Sequence, residues 1–285
     1  MSDNPQYGSP RLFDLPGLRV LQLAGRDALT FAQSQFMNDV TALADGQWHW
    51  SGWLDPKGRV HALFALLRID AETVWLATAT DAEALATALR RFVFRSKVKI
   101  DVAAVHAQGR LARPDVASGG VSARIGDAIE LDLSGDAGAR TLTLAPSPTV
   151  AATSDEDAAW SRLDIAHGWP SLPGVSLEHW TPQQLSLQRL DAFSVKKGCY
   201  PGQEIVARTH FLGRAKRGLA RLRVTSGDAH AGESLTDVDG RDIGQIVVLR
   251  GHDALAVVPL EPADSALRLR GEVVERLPLA DGLQR

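Results

Sequence analysis

The run Val60 to Ile69, Val-His-Ala-Leu-Phe-Ala-Leu-Leu-Arg-Ile, constrains the fold more than any other stretch of this chain. It is apolar at nearly every position rather than at every second one, so a strand formed here is well buried. Asp55-Pro56-Lys57-Gly58 is a turn signal, and Trp48, Trp50 and Trp53 lie in the strand before it, which makes a hairpin. Trp48 and Trp50 share a face and, with nothing basic between them, read as core. Val74 to Ala79 is a further strand. Asp81 then caps a helix expected to reach Arg95, with Leu85, Ala88, Leu89 and Phe92 inward, and Val98 to Val102 returns as a strand. Upstream, Leu18 to Leu23 alternates like a strand and stops at Gly25. Asp27 caps a helix through about Met37 with Ala28, Phe31, Ala32 and Phe36 inside. This order of elements is that of an α+β protein.

From Val105 to Val150 the signals weaken to short strands around Ile129 to Leu133 and Thr141 to Leu144, and a loop or subdomain edge is expected. Ser154-Asp155-Glu156-Asp157 opens a helix that ends at Gly168, with Trp160, Leu163 and Ala166 on its inner stripe. Thr181-Pro182-Gln183-Gln184 caps another, leading through Leu185 to Leu190. After Gly213 helical periodicity stops. Five strand-like runs and the Asp237-Val238-Asp239-Gly240 turn point to a separate antiparallel β unit, a small barrel.

A chain of 285 residues with 45% apolar and 23% charged residues can bury a large core in two or three units. No run nears the roughly 18 apolar residues that span a bilayer. The polar start, Met1 to Pro10, lacks a secretory pattern, so the cytoplasm is the default and no membrane partner is expected. One cysteine excludes an internal disulfide and a CxxC site. The eight histidines show no HExxH or close pairing, and Asp237-x-Asp-Gly lacks the closing Glu of an EF-hand, so no metal site is expected. The net charge of −3 opposes broad nucleic-acid coating, yet Lys196 to Arg217 carries Lys196, Lys197, Arg208, Arg214, Lys216 and Arg217 against Glu204 alone. Such a strip suits an anionic small molecule or a limited nucleic-acid contact, or is simply a solvated face.

That strip contains the densest group of special residues, Lys196-Lys197-Gly198-Cys199-Tyr200-Pro201-Gly202-Gln203-Glu204-Ile205-Val206-Ala207-Arg208. Pro201-Gly202 is a turn, and Gln203 onward reads as a short helix ending near Gly213, with Glu204 and Arg208 an i,i+4 pair. Cys199, beside two lysines and just before a helix, is placed to favour thiolate. The glycines allow close approach of backbone N–H groups to a flat or anionic ligand. Glu204 offers two acceptors. A lone cysteine equally suits a small buried hydrophobe, and a Pro-Gly turn flanked by lysines is common on surfaces.

Lys-Gly-Cys-Tyr-x-Gly-Gln-Glu followed by Ile-Val-Ala-Arg resembles the signature of the YgfZ-type folate-binding proteins. These are relatives of the aminomethyltransferase (T-protein) of the glycine cleavage system that act in maintaining iron–sulfur enzymes. Other blocks match in order: Gly25-x-Asp27-Ala28 with Phe31-Ala32-Gln33-Ser34-Gln35 and Asn38-Asp39-Val40, then Arg95-Ser96-Lys97-Val98, then Trp160-x-x-Leu-x-Ile-x-x-Gly-x-Pro. Met37 stands where the family commonly has Thr. The resemblance implies a T-protein-like multidomain fold with ferredoxin-like βαβ lobes and a C-terminal antiparallel β-barrel. Residues 1–50 plus 151–213 would form the folate-binding lobe, 51–150 a second α+β lobe, and 214–285 the barrel.

It implies tetrahydrofolate as cofactor. The pterin N–H groups would meet Asp39, Asn38 or Glu204, its rings Trp160 and Tyr200, and its glutamate tail Lys197 and Arg208, with Gly198 and Gly202 permitting approach and Gln35 and Gln203 among the folate-binding residues. Cys199 would be the reactive thiol. The aminomethyltransferases carry a catalytic Asp in the strand after the second glycine-bearing hairpin, where this chain has Ala62 and Leu63. The resemblance therefore favours a folate-dependent factor for assembly or repair of iron–sulfur proteins over a one-carbon transferase. An RNA-binding or tRNA-modifying factor using the basic strip ranks third. The partners implied are folate, iron–sulfur client or assembly proteins, and limited contact with tRNA.

Overall fold

A computed structural model describes residues 10–213, 215–225, 229–261 and 266–285. In chain order the elements are β1 (Phe13–Asp14), β2 (Arg19–Ala24), α1 (Ala28–Gln35), β3 (Trp48–Leu54), β4 (Val60–Asp70), β5 (Thr73–Thr78), α2 (Ala82–Arg90), β6 (Lys99–Val102), β7 (His106–Arg110), β8 (Ala123–Ile125), β9 (Ala128–Asp132), β10 (Thr141–Ala145), α3 (Ser154–His167), α4 (Gln203–Phe211), β11 (Arg217–Arg223), β12 (Ser234–Thr236), β13 (Asp242–Arg250), β14 (Asp253–Pro259), β15 (Arg268–Leu269), β16 (Glu272–Val273) and β17 (Glu275–Leu277).

The strands form three sheets, ordered β3-β4-β5-β2-β6, β1-β7-β10-β9-β8 and β16-β15-β12-β13-β14-β11-β17. In the first sheet β5 and β6 are both antiparallel to β2 and hence parallel to each other, so β5-α2-β6 is a split β-α-β unit. The second sheet is antiparallel throughout, with α3 following its last long strand. The third is a nearly closed antiparallel barrel.

Residues of β4 alternate between two cores. Phe64 and Leu66 join Phe31, Phe36 and Leu85 beneath α1 and α2, whereas Leu63 and Leu67 join Trp48, Trp50, Leu131, Leu142 and the barrel residues Leu219 and Val257 on the other side. The first sheet is thus the middle layer, covered on both faces as its continuous apolar run requires. Trp48 and Trp50 face one core and Trp53 the other.

Several expectations are corrected. A boundary at residue 50 would cut β3 in mid-strand; the first sheet runs from residue 19 to 102 and owns both the α1 segment and the hairpin. The chain from 105 to 150 is not a loop between units but supplies four strands of the second sheet, the two expected, β9 and β10, and two unexpected, β8 and β7, whose His-Ala-Gln-Gly-Arg hides its strand character in polar residues. Helix α2 ends at Arg90, not Arg95, and Phe92 is 40% exposed rather than inward. The cap of α3 is Thr153, not Ser154: its hydroxyl accepts from Glu156 N while the Glu156 carboxylate accepts from Thr153 N. Thr181 and Gln184 do form a reciprocal cap, but Ser186 at φ 51° stops the helix and only a single 3-10 turn, Leu187–Leu190, follows.

Candidate functional site

The loop bearing the cysteine is anchored from three directions. Lys197 is 6% exposed, and its Nζ donates to the carbonyl oxygens of Gln33 (2.6 Å), Phe36 (2.5 Å) and Asn38 (3.1 Å). These carbonyls lie at the C-terminal end of α1, where acceptors are left over and the helix dipole favours a cation. Burial pushes the ammonium down to about 8, with Asp39 pulling the other way. No donor remains for an anionic tail, so the expected role of Lys197 is replaced by helix closure.

Tyr200 is also buried. Its hydroxyl donates to the Ser194 carbonyl (3.3 Å), its ring centre lies 5.1 Å from Lys197 Nζ, and burial pushes the phenol up. Gln203 Nε2 donates back to the Lys197 carbonyl at 3.2 Å. Gly202, at φ 79°, meets the β3–β4 turn: a Cβ there would sit 2.6 Å from the Asp55 carbonyl oxygen and 2.8 Å from Gly58 Cα. Gly58 in turn faces Ile205. The Pro-Gly signal therefore serves close packing of loop on hairpin.

The first-block residues are similarly committed. Asn38 Nδ2 donates to the carbonyls of Trp50 (2.9 Å) and Asp191 (2.7 Å), tying the end of α1 to β3 and to the segment before the motif. Asp39 accepts from the Thr41 hydroxyl (2.6 Å), Gln33 Nε2 (3.0 Å) and Thr41 N (3.1 Å), and the Thr41 hydroxyl above all holds its carboxyl below the usual carboxylate range. Gln35 donates to Ser34 Oγ at 3.4 Å, and its buried Oε1 has no partner among the described residues. His49 on β3 lies near this cluster, unflagged in the sequence; burial, aided by the Lys197 charge, drives its imidazole down to about 3.

Gly198, Cys199, Glu204 and Arg208 are exposed. Cys199 precedes Gly202, the N-cap of α4, by three residues. Glu204 and Arg208 form no ion pair among the described residues, so the i,i+4 contact expected between them is not made and both ends stay free. Of the basic strip, Arg214 lies outside the described residues, Lys197 is buried, and Arg217 donates to the Ile243 carbonyl. Lys196, Arg208 and Lys216 remain at the surface.

Trp160 sits elsewhere. It is 7% exposed on α3, edge-on to Phe13 at 6.2 Å, with the Arg140 guanidinium 4.8 Å over its ring. Arg140 pairs with Asp164 at 2.6 Å; burial pushes that carboxyl up and the guanidinium restrains it. The cavity beside Trp160, walled by Trp50, Trp169 and Leu133, is about 30 Å³ and contains no residue of 196–208. That is room for about two waters and not for a pterin. The motif loop reaches a different groove, of about 460 Å³ between α2 and the hairpin, and only through Pro201. The structure thus brings together Asn38, Asp39, Lys197, Tyr200 and Gln203, and packs Trp160 against Phe13 and Arg140 beside a cavity that no residue of 196–208 lines.

Asn38, Asp39, Lys197 and Gln203, expected as folate ligands, thus have side-chain polar groups bonded within the chain itself. The subset with free groups, Glu204 and Arg208 on α4, retains the right chemistry, an acceptor for ring N–H groups and a cation for a carboxylate tail. Ala62 and Leu63, which stand where the resemblance would place a transferase acid, are both 0% exposed.

No family model matches the chain. It is 29% identical over 248 residues to a tRNA-modifying protein YgfZ of Klebsiella pneumoniae, covering 79% of this chain and 75% of that one. It is 28% identical over 229 residues to the tRNA-modifying protein YgfZ of Colwellia psychrerythraea, covering 73% and 70%. The glycine cleavage system aminomethyltransferase T from Bartonella henselae matches in structure with a TM-score of 0.70 at 16% identity, over 95% of this chain and 85% of that one. Relatives, motif and fold agree: the chain is similar to the YgfZ-type proteins and shares the fold of the glycine cleavage aminomethyltransferase.

Proposed function

We propose that this chain is a tetrahydrofolate-binding factor for the assembly or repair of iron–sulfur proteins, with Cys199 as its reactive thiol and Glu204 and Arg208 as contacts to the folate. The observation that carries the reading is the exposure of the lone thiol on a loop fixed at Lys197, Gly202 and Gln203. A buried structural cysteine has no use for such presentation, whereas a nucleophile needs both access and a fixed position. The tRNA-modifying role in the relatives' names carries over as the process this factor serves. One-carbon transfer is disfavoured because apolar Ala62 and Leu63 leave no acid at the position where the transferases hold theirs.

Cys199→Ser is expected to keep the urea midpoint of the parent and to fail in restoring iron–sulfur enzyme activity to a strain lacking its own YgfZ-type protein. Full restoration would make the thiol dispensable. In calorimetric titration with tetrahydrofolate, Glu204→Gln should weaken binding about tenfold, the loss of one charge-assisted hydrogen bond. Trp160→Phe should leave it unchanged; the reverse pattern would move the site to the small cavity at Trp160.

A further inference from the structure

Where α2 stops, the chain turns outward. Residues 84–100 hold five cations, Arg90, Arg91, Arg95, Lys97 and Lys99, and no carboxylate, in a chain of net charge −3. Asp101 neutralises part of this through Arg90 (3.4 Å) and Lys99 (2.8 Å). Arg91, Arg95 and the Lys97 ammonium make no ion pair among the described residues. Between them stand Phe92 and Phe94, 40% and 86% exposed. A phenyl ring so exposed forfeits burial that the core would reward with roughly 2 kcal/mol, and two in one cationic turn form an unpartnered surface.

Phe92 also walls the groove of about 460 Å³ between α2 and the β3–β4 turn. Its ring meets Trp53 edge-on at 5.8 Å, and Trp53 in turn stacks at 5.2 Å on His61, whose Nδ1 lies 2.9 Å from Glu178 Oε1. The groove is lined by the acidic residues Asp55, on the side of the hairpin, and Glu178, which pairs with His61, and by Arg91 at the end of α2, beyond which the free cations continue at Arg95 and Lys97. That polarity repels phosphate from the groove and attracts it to the ridge. Aromatic walls and carboxylate acceptors suit the faces and amino edges of unpaired bases. A duplex, with bases stacked inside, could use only the cations.

We propose that residues 91–97 and the adjoining groove form a docking surface for single-stranded RNA, with bases on Phe92 and Phe94 and phosphates on Arg91, Arg95 and Lys97. Neither Cys199 nor Glu204 lines the groove, which the motif loop reaches only through Pro201, and the test is run without folate, so the proposal stands or falls independently of the folate and thiol reading. The test is fluorescence anisotropy of the full chain with a short, labelled, unstructured oligoribonucleotide, without folate. Saturable binding is expected, with a duplex of the same composition a weaker competitor. Phe94→Ala should weaken binding at least about fivefold. The double variant Arg91→Gln/Arg95→Gln should lower the slope of log K against log salt by about 1.4. All three side chains are exposed, so folding is untouched, which circular dichroism checks. Absence of saturable binding overturns the proposal, as does binding indifferent to Phe94→Ala, equal competition by duplex, or equal competition by polyglutamate, which would assign the ridge to an acidic protein.

Discussion

Lys197 shows how a residue chosen by motif for ligand binding can be needed for the fold. Its ammonium closes α1 through three carbonyls and has nothing left over. Lys197→Met keeps the length of the side chain and removes the donors, leaving those acceptors unpaired; a loss of about 2–4 kcal/mol in urea unfolding is expected. His49 supplies the pH dependence of the same cluster. Its imidazole falls from 6.5 to about 3 on folding, chiefly through burial. Between those values the unfolded chain binds a proton that the folded one refuses. Stability therefore declines as pH drops from 6.5 toward 3, by on the order of 4 kcal/mol across the window. In His49→Gln the urea midpoint should change much less between neutral pH and about pH 4; an unaltered slope would assign acid sensitivity to other groups.

At the scale of elements, α4 is held by a glycine-to-glycine contact rather than by its own length. Gly202→Ala adds a methyl group 2.6 Å from the Asp55 carbonyl oxygen, at a φ of 79°. The loop must lift from the hairpin, with about 2–4 kcal/mol lost in urea unfolding and Cys199 freed from its position, which thiol-labelling rates would register. The cap of α3 is a smaller matter: Thr153→Ala should cost about 1 kcal/mol. The Arg11 guanidinium, bonded to the same Glu156 at 2.8 Å, keeps that carboxyl down at about 2. This contribution is present above the ordinary carboxylate value and lost as pH falls toward 2. The end of α2 at Arg90 was not legible, because Ala-Thr-Ala-Leu-Arg-Arg-Phe-Val-Phe continues helical periodicity. Only the register of β6 beside β2, which turns the chain back at Lys99, decides that Phe92 and Phe94 face outward.

For the molecule as a whole, residues 279–285 leave the barrel and bind the other two sheets together. Trp50 Nε1 donates to the Leu283 carbonyl (2.7 Å), Ala280 N to the Ala166 carbonyl (2.8 Å), and Arg285 to those of Asp132 and Ser134 (2.8 Å each). Leu283 is fully buried. Deleting 279–285 removes that side chain and these bonds, and at least about 3 kcal/mol of stability by urea unfolding. The sequence by itself determined what depends on neighbours along the chain. That includes the two-faced hairpin at Val60, the α1 and α3 helices, the change to β structure after Gly213, and the motif that names the family. Of the second sheet only β9 and β10 were legible; β1 has two residues and β7 is polar, and their pairing rewards only partners distant in sequence. The tertiary structure alone decided which motif residues keep free groups. Whether Lys197 or Arg208, Trp160 or Phe94 is available to a ligand depends on what packs against it, and each is covered or exposed by segments far away in the chain.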